Sequence, residues 1–184
     1  MERFRDGDAR AFEVLVGRHG RAVYQFVLRY VSDGATAEDL VQEVFLRVVR
    51  SAPEYERRAK FTTWVYTIAR NQCIDALRRR RYRRHPSLDA PMGDEDGPTL
   101  LETVAGDEPG SDRRAADTQF TGALDAALAA LPDEQREVFL MREVHNLPFK
   151  EIAEITQVPT NTVKSRMRYA LEALRHHLQE FDPT

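Results

Sequence analysis

Apolar residues recur along most of the chain at three- and four-residue steps, the spacing that gathers side chains on one side of a helix. From Asp8 to Val31 the positions Phe12, Leu15, Val16, Val23, Phe26, Val27 and Tyr30 predict a helical pair broken at Gly17 to Gly20, and Ser32-Asp33-Gly34 stops the pattern. Thr36, with Asp39 three residues on, has the spacing of a capped helix start and opens a helix through Leu40, Val41, Val44, Phe45, Val48 and Val49 that Pro53 ends. Its polar face carries Glu38, Asp39, Gln42, Glu43 and Arg47, either solvent surface or a docking face for a partner. A short loop from Glu54 to Ala59 leads into Lys60 to Asp75, KFTTWVYTIARNQCID. There Val65, Ile68, Ala69, Ala76 and Leu77 line one side of a helix, and Thr67, Arg70, Asn71, Arg78 and Arg81 line the other. Hydroxyl, amide and guanidinium groups in a row can meet phosphates and base edges together, so this is a candidate nucleic-acid face.

The pattern fails between Arg83 and Asp117. Pro86, Pro91, Pro98, Pro109, four glycines and many acids leave few large apolar groups to bury, so this stretch reads as a linker. Helical spacing resumes at Phe120, Leu124, Ala127, Leu128 and Leu131, ending at Pro132. Asp133 is the expected cap of a helix burying Val138, Phe139, Met141 and Val144, and His145-Asn146-Leu147-Pro148 is a turn. Phe149 to Ile155 gives a short helix, Thr156 to Thr160 a second turn, and Thr160 or Asn161 caps a last helix to about Leu178. A short helix, a tight turn and a longer helix basic at its start form a helix-turn-helix pattern. Val163, Met167, Ala170, Leu171 and Leu174 face the core, leaving Asn161, Lys164, Ser165, Arg168, Tyr169 and Glu172 outward.

The fold class expected is all-α: two small helical domains, residues 1–82 and 119–184, joined by a flexible acidic linker over 83–118. A chain of 184 residues has room for two modest cores. Charge follows the same division. Residues 1–84 hold 18 Lys and Arg against 11 acids, residues 85–118 hold 2 against 9, and residues 119–184 hold 7 against 10. A basic front suggests a polyanionic partner, and an acidic middle repels or mimics nucleic acid. No apolar run is long enough for a membrane span or a signal segment, which points to the cytoplasm without membrane insertion. The lone Cys73 excludes an intramolecular disulfide and a zinc signature, and reads as a small apolar helix residue. His85, His145, His176 and His177 are scattered or terminal and read as ordinary surface; no catalytic residues, cofactor or metal are expected.

Two blocks in the front half, AEDLVQEVFLRV (37–48) and FTTWVYTIARNQCIDALRR (61–79), and one in the back half, LPDEQREVFLMREVHNLPFKEIAEITQVPTNTVKSRM (131–167), together resemble the extracytoplasmic-function (ECF) group of bacterial RNA polymerase sigma factors. The likeness spans nearly the whole chain apart from the linker. It implies that the helix carrying Asp39, Gln42, Glu43, Leu46 and Arg47 docks on the largest subunits of core polymerase. It implies too that the Tyr55 to Lys60 loop and the following helix, with Tyr55, Arg57, Arg58, Lys60, Phe61, Trp64, Thr67, Arg70, Asn71 and Arg78, open the downstream promoter element and hold its single strand. Unpaired bases stack on aromatic rings, and Tyr55 in its polar loop is the first candidate; Phe61 and Trp64 are stacking rings or core. Asn71 stands where the family reads a base. The last helix, with Asn161, Thr162, Lys164, Ser165, Arg168 and Tyr169, would enter the major groove of the upstream element, and the linker would thread toward the active cleft or serve as a tether.

The chain departs from the family at two positions, Asn161 where Gly is usual and Tyr169 where Arg is more frequent. The second removes a bidentate guanine contact, so upstream specificity does not transfer from relatives. An anti-sigma partner covering the docking or DNA faces, and a monomer when free, also follow from the resemblance. Two rivals remain: an autonomous helix-turn-helix regulator, which needs a dimer to read two half-sites, and a helical enzyme, which needs a cluster of reactive groups.

Overall fold

The computed structural model describes residues 1–55, 60–83 and 111–181, and every element among them is helical. They are α1 (Glu2–Arg5), α2 (Ala9–Val31), α3 (Gly34–Arg50), α4 (Phe61–Arg83), α5 (Ser111–Ala130), α6 (Asp133–Phe139), α7 (Phe149–Thr156) and α8 (Thr160–His177). A π-helical turn, Leu140–Val144, follows α6, and a 3-10 turn, Gln179–Phe181, follows α8.

In the front domain α2, α3 and α4 pack mutually, each contributing one apolar stripe. Val23, Phe26, Val27 and Tyr30 of α2 meet Ala37, Leu40, Val44 and Val48 of α3 and Val65, Ala69 and Cys73 of α4, all buried. Helix α2 is unbroken from Ala9 to Val31, so the expected pair with a break at Gly17 to Gly20 is a single rod. Each glycine costs a helix about 1 kcal/mol relative to alanine, too little to interrupt a helix held by several buried side chains worth about 1.5–3 kcal/mol each. The helix ends where expected, with Ser32 in the left-handed conformation (φ 55°) and its N–H bonded to the Leu28 carbonyl. The cap of α3 is Asp33 rather than Thr36: its Oδ2 accepts from the Thr36 N–H at 2.8 Å, and the helix starts at Gly34.

In the back domain α6 and α7 both pack on α8, with Val138, Leu140, Met141, Ile152, Ile155, Val163, Met167, Ala170 and Leu174 buried. Four expectations are corrected here. Helix α5 begins at Ser111, so the last residues assigned to the linker, 111–118, are helical; the expected acidic segment over 84–110 lies outside the described residues. Asp133 is the first residue of α6, not its cap: Pro132 occupies that place, and the Asp133 carboxylate instead accepts from the Arg136 and Arg81 guanidinium groups. Neither Thr160 nor Asn161 caps α8, because Pro159, preset to φ −57°, supplies the turn into it. Leu171, expected in the core, is 44% exposed.

The two domains touch. Helix α4 packs on α7, and α2 packs on α5, α6 and the π-helical turn. Buried apolar side chains from both domains form one contiguous cluster.

Candidate nucleic-acid interface

Helix α4 presents the polar face that its spacing predicts, and part of it is covered. Asn71, Arg78 and Arg81 are exposed. Thr67 is half-buried, its hydroxyl donating to the Thr63 carbonyl one turn back at 2.8 Å. Arg70 is turned against the back domain. Its Nε donates to Glu137 Oε2 at 2.6 Å and its Nη2 to Oε1 at 3.1 Å, a two-pronged pair in which the Arg70 side chain keeps 17% of its exposure and Glu137 keeps 1%. Burial works against the Arg70 charge, but the hydrogen bonds and charge of Glu137 prevail and hold its pKa above the ordinary value. Lys60, at the entrance of the helix, is exposed and bonds Glu151 of α7, which also accepts from the Thr63 hydroxyl at 3.2 Å.

The aromatic residues at that entrance form one group of rings. Tyr55 lies 5.1 Å from Trp64, Trp64 lies 6.0 Å from Phe61, and Phe61 lies 5.1 Å from His19. All three predicted rings, Tyr55, Phe61 and Trp64, are half-buried. The expected Arg57 and Arg58 lie outside the described residues.

On α3, Asp39, Gln42, Leu46 and Arg47 are exposed, Leu46 by 48%. Glu43 accepts ion pairs at 3.6 Å from both Arg47 and Arg50. With its amide oxygen turned toward α3, the buried Gln72 also accepts from Arg47, at 3.0 Å, which fixes that guanidinium against α4. This polar face is therefore anchored from behind.

Helix α8 follows a tight turn in which Gln157 adopts φ 59°. Asn161, Lys164, Ser165, Arg168, Tyr169 and Glu172 are exposed and Thr162 is half-buried. The Arg168 guanidinium lies 4.9 Å over the Tyr169 ring, so this aromatic orients its neighbour.

Sequence reasoning missed the residues that join the domains. Glu137 accepts from the Tyr30 hydroxyl at 3.2 Å as well as from Arg70, and Arg166 of α8 stands 3.8 Å away. The buried Arg136 donates to the Tyr30 carbonyl at 3.0 Å and to Asp133 at 2.8 Å, while Arg81 reaches Asp133 at 2.9 Å. One signal was present: Glu137 stands four residues before Met141, an acid on the apolar stripe of its helix. His145, expected on the surface, is half-buried with ring centroids 5.2 Å from Tyr66 and 5.8 Å from Phe26. Burial, with the positive charge of Arg29 second, lowers its pKa to about 4. Burial, then Glu137, pushes the Tyr30 phenol up, and burial alone raises that of Tyr66. Cys73 is fully buried, and its thiol is pushed up to about 12 by desolvation first and Glu137 second, which makes it an inert packing group. Among the described residues no cluster of His, Cys, Asp and Glu could hold a metal, and no helix is long and apolar enough to cross a membrane.

Comparison with known proteins accounts for both domains. Residues 15–83 match the model of Sigma-70 region 2, and residues 121–174 match that of Sigma-70, region 4. The chain is 38% identical over 182 residues to the RNA polymerase sigma factor CarQ of Myxococcus xanthus, covering 99% of this chain and 97% of that one. It is 31% identical over 183 residues to the ECF RNA polymerase sigma-E factor of Escherichia coli K12, covering 97% and 92%. In fold it resembles the sigma factor RpoE of Bartonella quintana, solved with the anti-sigma factor NepR, at TM-score 0.72 and 20% identity over 93% of this chain and 98% of that one. CnrH, solved with the cytosolic domain of CnrY, gives TM-score 0.68 at 21% identity over 97% and 94%. With both regions matched in order and relatives aligned end to end, this chain belongs to the ECF group of RNA polymerase sigma factors, the proteins that bind core polymerase and direct it to specific promoters.

Proposed function

We propose that the division of labour within this sigma factor follows its three polar surfaces. The face of α3 with Asp39, Gln42, Glu43, Leu46 and Arg47 docks on the largest subunits of core polymerase. The α4 face, with the Tyr55, Phe61 and Trp64 rings, Lys60, Thr67, Arg70, Asn71 and Arg78, helps melt the downstream element and holds the freed strand, a task shared by Arg57 and Arg58. The start of α8, with Asn161, Thr162, Lys164, Ser165, Arg168 and Tyr169, reads the upstream element in the major groove. The observation that carries the reading is α8: the second helix of a helix-turn-helix, exposed and cationic at its N-terminal half, on a chain whose front domain offers a separate polar face. Ring stacking worth roughly 1–3 kcal/mol per base and phosphate contacts from α4 supply the physical means to hold a single strand.

The protein works in the cytoplasm and has no reaction of its own. A partner of the anti-sigma kind, such as the NepR solved with RpoE, would cover the docking or DNA faces. Isolation of the protein from native cells should then bring down a stoichiometric inhibitor. Reconstituted with core polymerase, the chain should form a one-to-one complex on gel filtration and give specific transcripts from a subset of a genomic promoter library. Binding to duplex as a dimer, with no transcript from any promoter, would overturn the reading in favour of an autonomous regulator.

A further inference from the structure

We propose that α1 is a brace for the strand-holding rings and that Arg5 is a positioning residue, fixing the backbone from which Tyr55 reaches an unpaired base. The inference deepens the reading of Tyr55 as a stacking ring given above and rests on it. Arg5 Nη1 donates to the Tyr55 carbonyl at 3.2 Å, across 50 residues of chain. The Tyr55 N–H donates to the Ala52 carbonyl, also at 3.2 Å, so both main-chain polar groups of this residue are held. Its ring lies 5.1 Å from that of Trp64, which in turn meets Phe61. A hydrogen bond from a guanidinium is charge-assisted and stronger than one between neutral groups, which suits it to fix a loop at a single point.

The brace is itself pinned to the front domain. Helix α1 has four residues, too few to persist alone, so its place is set by what it touches. The Phe4 ring stacks on Phe12 of α2 with centroids 4.9 Å apart, and Phe12 meets Phe45 of α3 edge-on at 6.3 Å. Gly7, at φ 101°, turns the chain from α1 into α2 in a conformation that residues with a Cβ rarely adopt. Arg3 pairs with Asp8 at 2.7 Å, while Asp8 also caps α2 through the Ala11 N–H at 3.3 Å. Arg5 Nε donates to Asp6 Oδ1 at 3.0 Å, which holds the guanidinium in one orientation toward Tyr55. A ring that must be ordered when the base arrives loses part of the stacking gain to that ordering, whereas a ring on a fixed backbone keeps it. The effect of Arg5 on the strand therefore passes through Tyr55, and α1 joins the single-strand site without touching a base.

The test uses holoenzyme reconstituted from the full chain and core polymerase, titrated into a fluorescein-labelled single strand that carries the downstream element of a promoter from the genomic library. Affinity for core is measured alongside by competition with the native chain, and helicity by circular dichroism. Tyr55→Ala should weaken strand binding about tenfold, the scale of one lost base stack. Arg5→Ala should weaken it about fivefold, the scale of ordering one side chain, with core affinity and helicity unchanged. The double variant should be no weaker than Tyr55→Ala alone, because both changes act through one ring. Arg5→Lys, which keeps a charged donor, should recover part of the loss, and Phe4→Ala, which frees α1 from Phe12 with Arg5 in place, should reproduce it. Native-strength binding by Arg5→Ala or Phe4→Ala, beside a loss in Tyr55→Ala, overturns the brace and leaves the reading of Tyr55 intact. Losses that add in the double variant overturn it too, because Arg5 then meets the strand itself, as does a fall in core affinity that matches the strand loss. Native-strength binding by Tyr55→Ala overturns both the brace and the stacking role on which it rests.

Discussion

At the level of single residues, the molecule concentrates its energetic risk in one carboxylate. Glu137 is 1% exposed and holds Arg70 and the Tyr30 hydroxyl at once. Removing one member of a buried pair leaves the other desolvated and unpaired, at a cost of about 3–5 kcal/mol. Urea denaturation of Arg70→Ala should show a loss near the lower end of that range, because Arg166 stands ready to pair with Glu137. A larger loss would mean that Arg166 does not move. His145 gives a pH dependence with a definite sign. Its pKa falls from 6.5 to about 4 on folding, chiefly through burial and then through Arg29, so the native state favours the neutral ring. That contribution is complete above about pH 6.5 and is lost as pH falls from there toward 4. Among the described residues its Nε2 has no hydrogen-bond partner to receive a second proton. Thermal melts between pH 7 and 4.5 should show a decline that His145→Leu flattens.

At the level of elements, the errors of sequence reading share one cause: local signals compete, and the winner is set by what each helix packs against. Gly17 and Gly20 read as a break, yet nothing lies within 4 Å of a Cβ built on Gly17 and its backbone is helical. Gly17→Ala should therefore stabilise the protein by about 0.5–1 kcal/mol, measured as a rise in the urea midpoint. Asp33 and Thr36 both stand at places suited to a cap, and the geometry selects Asp33. Asp33→Ala should cost about 1 kcal/mol, whereas Thr36→Ala should cost little. The hydrogen bonds of the Asp33 carboxylate to Thr36 keep its pKa below the ordinary 3.8, so the cap weakens only in strong acid. On α8 the exposed residues divide by what they would touch. Lys164→Ala should weaken upstream-element binding evenly across sequences and lower the salt slope by about 1, while Asn71→Ala on α4 should change preference at a single downstream base. Uniform loss over every downstream variant would remove Asn71 from base reading.

At the level of the whole molecule, the sequence by itself determined the helices, their apolar stripes and the family. Periodicity, turn residues and motif order are local properties, and burial of stripes such as Val23, Val27, Val44 and Val48 follows from them. It also identified the exposed face of α8, because a helix-turn-helix leaves that side without a partner. What only the tertiary structure decided is which charges are free. Arg70 and Asn71 are neighbours on the same helix and were read alike, yet one is locked to Glu137 and the other is open. Likewise, nothing local distinguishes His145, wedged against Phe26 and Tyr66, from the exposed His176 and His177. The reason is physical: a stripe's preference for burial is written in its own spacing, whereas the partner of a charge is chosen across 67 residues of chain between Arg70 and Glu137, by the packing of the two domains on each other.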